Sequence, residues 1–149
     1  MIIDDKLMRY VVFKKRTEEE IRQKCSRLQY NEEYIDEIIE YLKENEYIND
    51  KIYVEKSIKN TMRLKKASIF EMKIDLIKRG VEEEYIEDYI NKNEEELKEF
   101  EKESAKKIAV KKIGQGAEIE KIKKYLRGKG YTYTSIIEAI DNLNNLTDN

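Results

Sequence analysis

With 149 residues the chain has the size of one domain, and 42% charged with 40% hydrophobic residues, no proline and five glycines describe amphipathic helices rather than turn-rich sheet. A net charge of −2 excludes a strong general attraction to nucleic acid or an anionic membrane, and a single cysteine without histidine excludes an intrachain disulfide and a tetrahedral zinc site. The acidic start MIIDDKLMRYVVF has no basic leader region, and its longest apolar run, Tyr10 to Phe13, is too short to span a bilayer. No membrane contact and a reducing, cytoplasmic compartment are expected.

In chain order the periodicity predicts nine helices. The first, Asp4 to Lys15, buries Leu7, Tyr10, Val11 and Phe13, and Lys14, Lys15 and Arg16 stand at its C-terminal dipole. Thr17 and Glu20 form a capping box for the second, which presents Ile21, Cys25 and Leu28. Asn31 heads the third, whose apolar face is Ile35, Ile38, Ile39 and Leu42. Asn49 caps a helix to Leu64 with Ile52, Val54, Ile58 and Met62 at helical spacing. Ser68 and Glu71 box the next, to Arg79, and Gly80 supplies a left-handed stop. Glu82 to Lys92 follows with three acids in its first turn. The longest helix runs from Glu94 to Ile113, capped by Asn93 with Glu96 reaching back, and carries Glu94–Lys98 and Glu103–Lys107 pairs. Helices at Glu118 to Arg127 and Thr134 to Leu143 finish the fold, and Asn144 to Asn149 reads as a frayed tail.

These elements repeat. Met72, Leu76, Gly80, Val81, Ile86 and Ile90 match Ile21, Cys25, Gln29, Tyr30, Ile35 and Ile39 at a spacing of 51 residues. Ile122, Leu126, Gly130, Tyr131, Ile136 and Ile140 follow at a spacing of 50. A preserved apolar pattern under a varied surface is the sign of a tandem helical repeat. The expected architecture is all-α: three three-helix, helix-turn-helix-like repeats in an elongated array, over residues 1–48, 49–92 and 93–149.

The segment Glu46 to Val54 (EYINDKIYV) is similar to the signature of the RecX family, regulators of the RecA recombinase, with Tyr47, Ile48 and Asp50 matching best. Arg16, Thr17, Glu20, Ile21, Cys25 and Tyr30 resemble the family's opening helix, and Ile74 to Val81 (IDLIKRGV) resembles a repeat ending in which Gly80, and later Gly130, is the repeat glycine. The likeness spans Asp4 to Leu143 as an ordered set of three units. Departures are Lys66, Ala67 and Ser68 where the family often has a glycine, Asn49 for the first aspartate of the signature and Gln29 for a glycine. None removes a catalytic group, since the family has none.

No enzyme chemistry assembles from these residues. Carboxylates scatter over polar faces, Cys25 sits at a position filled elsewhere by Leu76 and Leu126, and Gly114-Gln115-Gly116 follows a helix without the Lys-Ser/Thr of a phosphate loop. No cofactor is expected. The tyrosines fall largely on core or hairpin-packing repeat positions rather than on a base-stacking face, Tyr133 excepted. Residues 101 to 149 hold ten Lys/Arg against seven Asp/Glu. Lys106, Lys107, Lys111, Lys112, Lys121 and Lys124 are therefore the leading contact candidates, and Arg63, Lys65 and Lys66 are the second group. A lysine-rich solvated face is the plain competitor to that reading.

The resemblance implies a non-enzymatic monomer lying on a RecA filament on single-stranded DNA, with weak direct DNA contact, depressing ATP hydrolysis and strand exchange. The alternative is a helix-turn-helix-like nucleic-acid binder acting without RecA.

Overall fold

The computed structural model describes residues 1–147, and among these it has nine α-helices and no strand: α1 (Asp5–Phe13), α2 (Glu18–Arg27), α3 (Glu32–Glu44), α4 (Asp50–Leu64), α5 (Ile69–Lys78), α6 (Glu83–Lys92), α7 (Glu94–Gly114), α8 (Ile119–Gly128) and α9 (Tyr133–Thr147). Three successive helix triplets form the repeats. Matched positions share an environment: Ile21, Met72 and Ile122 are all buried, and Cys25, Leu76 and Leu126 are each 0% exposed.

The helix starts follow from capping chemistry. Thr17 Oγ1 accepts the Glu20 amide while Glu20 Oε1 accepts the Thr17 amide, and Ser68 and Glu71 make the same reciprocal pair. Asn31 and Asn49 accept from the amides of Tyr34 and Ile52. The ends follow from left-handed residues: Gly80 at φ 84°, Gly116 at 88° and Gly130 at 86°, with Gln29 at 64° where the first repeat lacks the glycine.

The chain divides into two compact units. The first is Met1–Ser57 with Leu76–Glu87, and the second is Ile58–Asp75 with Asp88–Asn149, so that α4, α5 and α6 each give one segment to either unit. In the first, Leu7 and Val11 of α1 pack with Ile21 and Cys25 of α2 and with Ile35, Ile38, Ile39 and Leu42 of α3. In the second, Ala105 and Ala109 of α7 let α9 approach closely through Ile136, Ala139, Ile140 and Leu143, and Ile122 and Leu126 of α8 close the cluster.

Several local expectations are corrected. Helix α1 stops at Phe13, with Lys14 extended at φ −156°, and Phe13 is 80% exposed rather than buried. Lys14, Lys15 and Arg16 thus follow the helix, and Arg16 folds back to donate Nε to the Tyr10 carbonyl at 2.8 Å with its guanidinium over the Tyr10 ring. Ile52 is 45% exposed, because the buried face of α4 is set by Val54 and Ile58. Asn93 makes no cap bond. Its amide donates to the Tyr89 carbonyl, closing α6 where the chain turns directly into α7. Glu103 pairs with Lys106 at 3.4 Å instead of Lys107; i+3 and i+4 both flank it on a helix of 3.6 residues per turn. Helix α9 continues through Thr147, past the expected end at Leu143, and residues 148 and 149 of the supposed tail lie outside the described residues.

Candidate functional site

Two equivalent carboxylate seats, one in each unit, place the signature residues. In the first unit Thr17 Oγ1, besides capping α2, donates to the Arg79 carbonyl at 2.6 Å, satisfying a helix-end acceptor of α5. The Glu18 amide, which has no intrahelical partner, donates to Asp50 Oδ1 at 2.9 Å. Gly80 lies against Glu19, and a Cβ there would fall on the Glu19 Cβ and Cγ. Ile48 is buried, whereas Tyr47 is 39% exposed. Of the signature, then, Ile48 fills core, Asp50 caps α2 and Tyr47 faces outward.

A cleft of 510 Å³ opens beside Asp50, lined by Glu18, Lys43, Lys51, Glu82 and Tyr85 among others. Glu18 pairs with Lys43 at 2.6 Å and with Arg22 at 3.0 Å, and Arg22 also reaches Asp36. Burial opposes ionisation of Glu18, but hydrogen bonds from Lys43 and Arg22 hold its carboxyl below the usual range. At Asp50 burial pushes the carboxyl up, against the Glu18 amide bond, and the charges of Glu18 and Glu82 push the same way.

In the second unit the pattern recurs with other side chains. Ser68 Oγ donates to the Lys129 carbonyl at 2.7 Å, and the Ile69 amide donates to Glu101 Oε1 at 3.1 Å. Glu101 is 1% exposed, and its other oxygen accepts from Ser135 Oγ at 2.6 Å, Thr132 Oγ1 at 2.9 Å and the Thr132 amide at 3.4 Å. Gly130 faces Phe70, whose Cδ1 would be 2.5 Å from an added Cβ. Glu101 escaped sequence reasoning. It stands 51 residues after Asp50, one more than the 50-residue spacing of the second and third repeats, so the repeat register by itself did not mark it.

The basic candidates all belong to the second unit, which holds 17 basic against 14 acidic side chains, net +3; the first holds 13 against 18, net −5. The structure sorts them. Lys106 is tied to Glu103, and Lys112 lies 3.8 Å over the Tyr125 ring, with Lys129 at 5.7 Å from the same ring. Lys107, Lys111, Lys121 and Lys124 are exposed and pair with no acid among the described residues. Lys107 and Lys111 are one turn apart on α7, and Lys121 and Lys124 one turn apart on α8. Arg63 donates to Asn60 Oδ1 at 2.8 Å, and Lys65 and Lys66 are exposed in the link to Ser68. Tyr133 is 79% exposed.

Among the described residues no group of three or more His, Cys, Asp or Glu side chains could hold a metal ion, and no helix is long and apolar enough to cross a membrane. Cys25 is buried, and burial pushes its thiol up, away from thiolate chemistry.

No known family profile matches the chain. Individual relatives do. It is 38% identical over 141 residues to "Regulatory protein RecX" of Staphylococcus carnosus, a match covering 91% of this chain and 52% of that one. It is 30% identical over 133 residues to the protein of the same name from Clostridium acetobutylicum, covering 84% and 61%. The chain thus spans about half to three fifths of the length of these curated relatives. The crystal structure of RecX from Lactobacillus salivarius superposes with a TM-score of 0.82 at 27% identity, over 94% of this chain and 93% of that one. A second, described as a crystal structure of regulatory protein RecX, shares the fold with a TM-score of 0.80 at 21% identity, over 91% and 70%. With its helical repeats, its relatives and its fold in agreement, the chain belongs to the RecX family.

Proposed function

We propose that the chain is a non-enzymatic regulator of the RecA recombinase which lies on the RecA filament on single-stranded DNA and depresses its ATPase and strand exchange. Membership of a family of regulatory proteins supports the role, and the unpaired lysines of the second unit support the surface. The protein acts in the cytoplasm, as a monomer and without a cofactor. Lys107 and Lys111 on α7, with Lys121 and Lys124 on α8, face the polyanionic filament, Lys106 and Lys112 flank the α7 pair, and the Arg63, Lys65 and Lys66 corner is the second candidate surface. Unpaired cations lose no internal ion pair when they meet phosphate, so they contribute most to a salt-dependent attraction.

The test is RecA ATPase on single-stranded DNA, titrated with the wild type and with the Lys107, Lys111, Lys121 and Lys124→Glu variant. The variant is expected to need about tenfold more protein for half inhibition at low salt, and the difference shrinks toward none in high salt. Glutamate keeps the helices, because it is also a good helix former. Inhibition at the wild-type concentration in low salt would refute the surface. A wild-type chain without effect on RecA that nonetheless binds DNA alone would refute the role.

A further inference from the structure

The two carboxylate seats hold the same helix-start amide with unequal grip. Around Glu101 the chain supplies neutral donors, two hydroxyls and a backbone amide, in a site 1% exposed. At the positions equivalent to Thr132 and Ser135, 50 residues earlier, the first unit has Glu82 and Tyr85. Among the described residues, the one hydrogen bond to Asp50 comes from the Glu18 amide. Glu18 and Glu19 of α2, Lys43 of α3, Lys51 on the same helix, and Glu82 and Tyr85 at the start of α6 line the cleft beside it. Thr17 bonds the Glu20 amide and the Arg79 carbonyl as Ser68 bonds the Glu71 amide and the Lys129 carbonyl in the second unit. What the first seat adds is ion pairs: Glu18 with Lys43 and Arg22, Arg22 with Asp36, and Arg79 with Glu20, their side chains 21–65% exposed. Salt screens these pairs, which are in direct contact at 2.6–3.8 Å and therefore set the sign, more than it relieves the repulsion of Asp50 by Glu18 and Glu82, and it leaves bonds to buried neutral donors nearly untouched.

We propose that the first seat is a built-in latch: at raised ionic strength Asp50 lets go of the first turn of α2 while Glu101 keeps its hold on α5. Local opening of the first repeat therefore precedes any opening at the second seat, and it is governed by the surface ion pairs around Glu18. This inference is independent of the partner.

Hydrogen exchange reads it directly. The amides of Glu18 and Ile69 open their helices and have no intrahelical acceptor, so their protection reports the carboxylate that holds each. In the intact chain, after correction for intrinsic rates, the Glu18 amide is expected to exchange at least about tenfold faster than that of Ile69, and the ratio widens as salt rises from about 50 mM to 500 mM. The triple variant Asp50→Glu, Glu82→Thr and Tyr85→Ser copies the second seat into the first and should bring the ratio close to one. Equal protection of the two wild-type amides, or a ratio indifferent to salt, overturns the proposal whatever the variant does. A folded triple variant whose ratio is unchanged overturns the assignment to these three positions.

Discussion

In the second unit the acid that holds the start of α5 is sealed in the interior and accepts four hydrogen bonds, so its charge is solvated by the protein itself. In the first unit the equivalent acid holds the start of α2 through one bond, beside a cleft and near two further carboxylates. The helices and the register are the same, but the stability each acid lends is not. A buried carboxylate strengthens a fold only when donors replace its lost water, and an acid facing like charges does its positioning at an electrostatic cost. A tandem repeat can therefore conserve a geometry while distributing its stability unevenly.

The largest expected effect lies at Glu101. Replacing it with alanine strands the Thr132 and Ser135 hydroxyls and the Ile69 amide in the interior and should lower the unfolding free energy by about 4 kcal/mol. A denaturant titration showing the same loss for Asp50→Ala would break the contrast between the seats.

The repeat glycine comes next. Gly130→Ala meets both a positive φ and Phe70 and should cost about 2–3 kcal/mol. Gln29 holds the same backbone conformation in the first repeat, where no preceding repeat supplies a residue like Glu19 or Phe70. A side chain fits there, but the strain remains, so Gln29→Gly should stabilise by about 1 kcal/mol. Opposite signs in thermal melts for these two changes would sharpen the repeat reading, and equal signs would undo it.

At Asp50 the sign depends on pH. Its folded carboxyl titrates above the unfolded value, so the stability it adds is full below the unfolded pKa and is lost as pH rises through the folded one. Glu18 runs the other way: its folded carboxyl titrates below the unfolded value, so its contribution is present above the unfolded pKa and lost as pH falls through the folded one. Asp50→Asn keeps an acceptor for the Glu18 amide and removes the charge. It should melt no lower than the wild type at neutral pH, with its relative advantage declining in acid. Melting curves of the pair across that range give the answer.

The smallest effect belongs to Tyr131, whose buried hydroxyl lies near Ser104 without the geometry of a hydrogen bond and whose phenol burial pushes up. Tyr131→Phe should leave stability unchanged or raise it by about 0.5–1 kcal/mol, because no bond is lost and a desolvated polar group is removed. A clear loss by calorimetry would mean that the hydroxyl is satisfied after all.

The elements and their recurrence are legible in the order of the residues alone. Caps at Thr17, Asn31, Asn49 and Ser68, glycine stops at 80 and 130, and apolar residues at helical spacing are local signals whose physics acts within one turn. That order also led to the family, because an ordered set of such signals is specific where each alone is loose. Which charges matter is settled by packing between helices. Glu101 reads as one more acid on a charged helix until α5 and α9 bring an amide and two hydroxyls to it from 31 to 34 residues away along the chain. The lysines form one undivided cluster in the sequence; folding ties Lys106 to Glu103 and lays Lys112 on Tyr125, leaving Lys107, Lys111, Lys121 and Lys124 without an acidic partner among the described residues. Phe13 and Ile52 fit an apolar period yet lie outside, because burial depends on whether a neighbour packs against that face, which spacing along one helix does not specify.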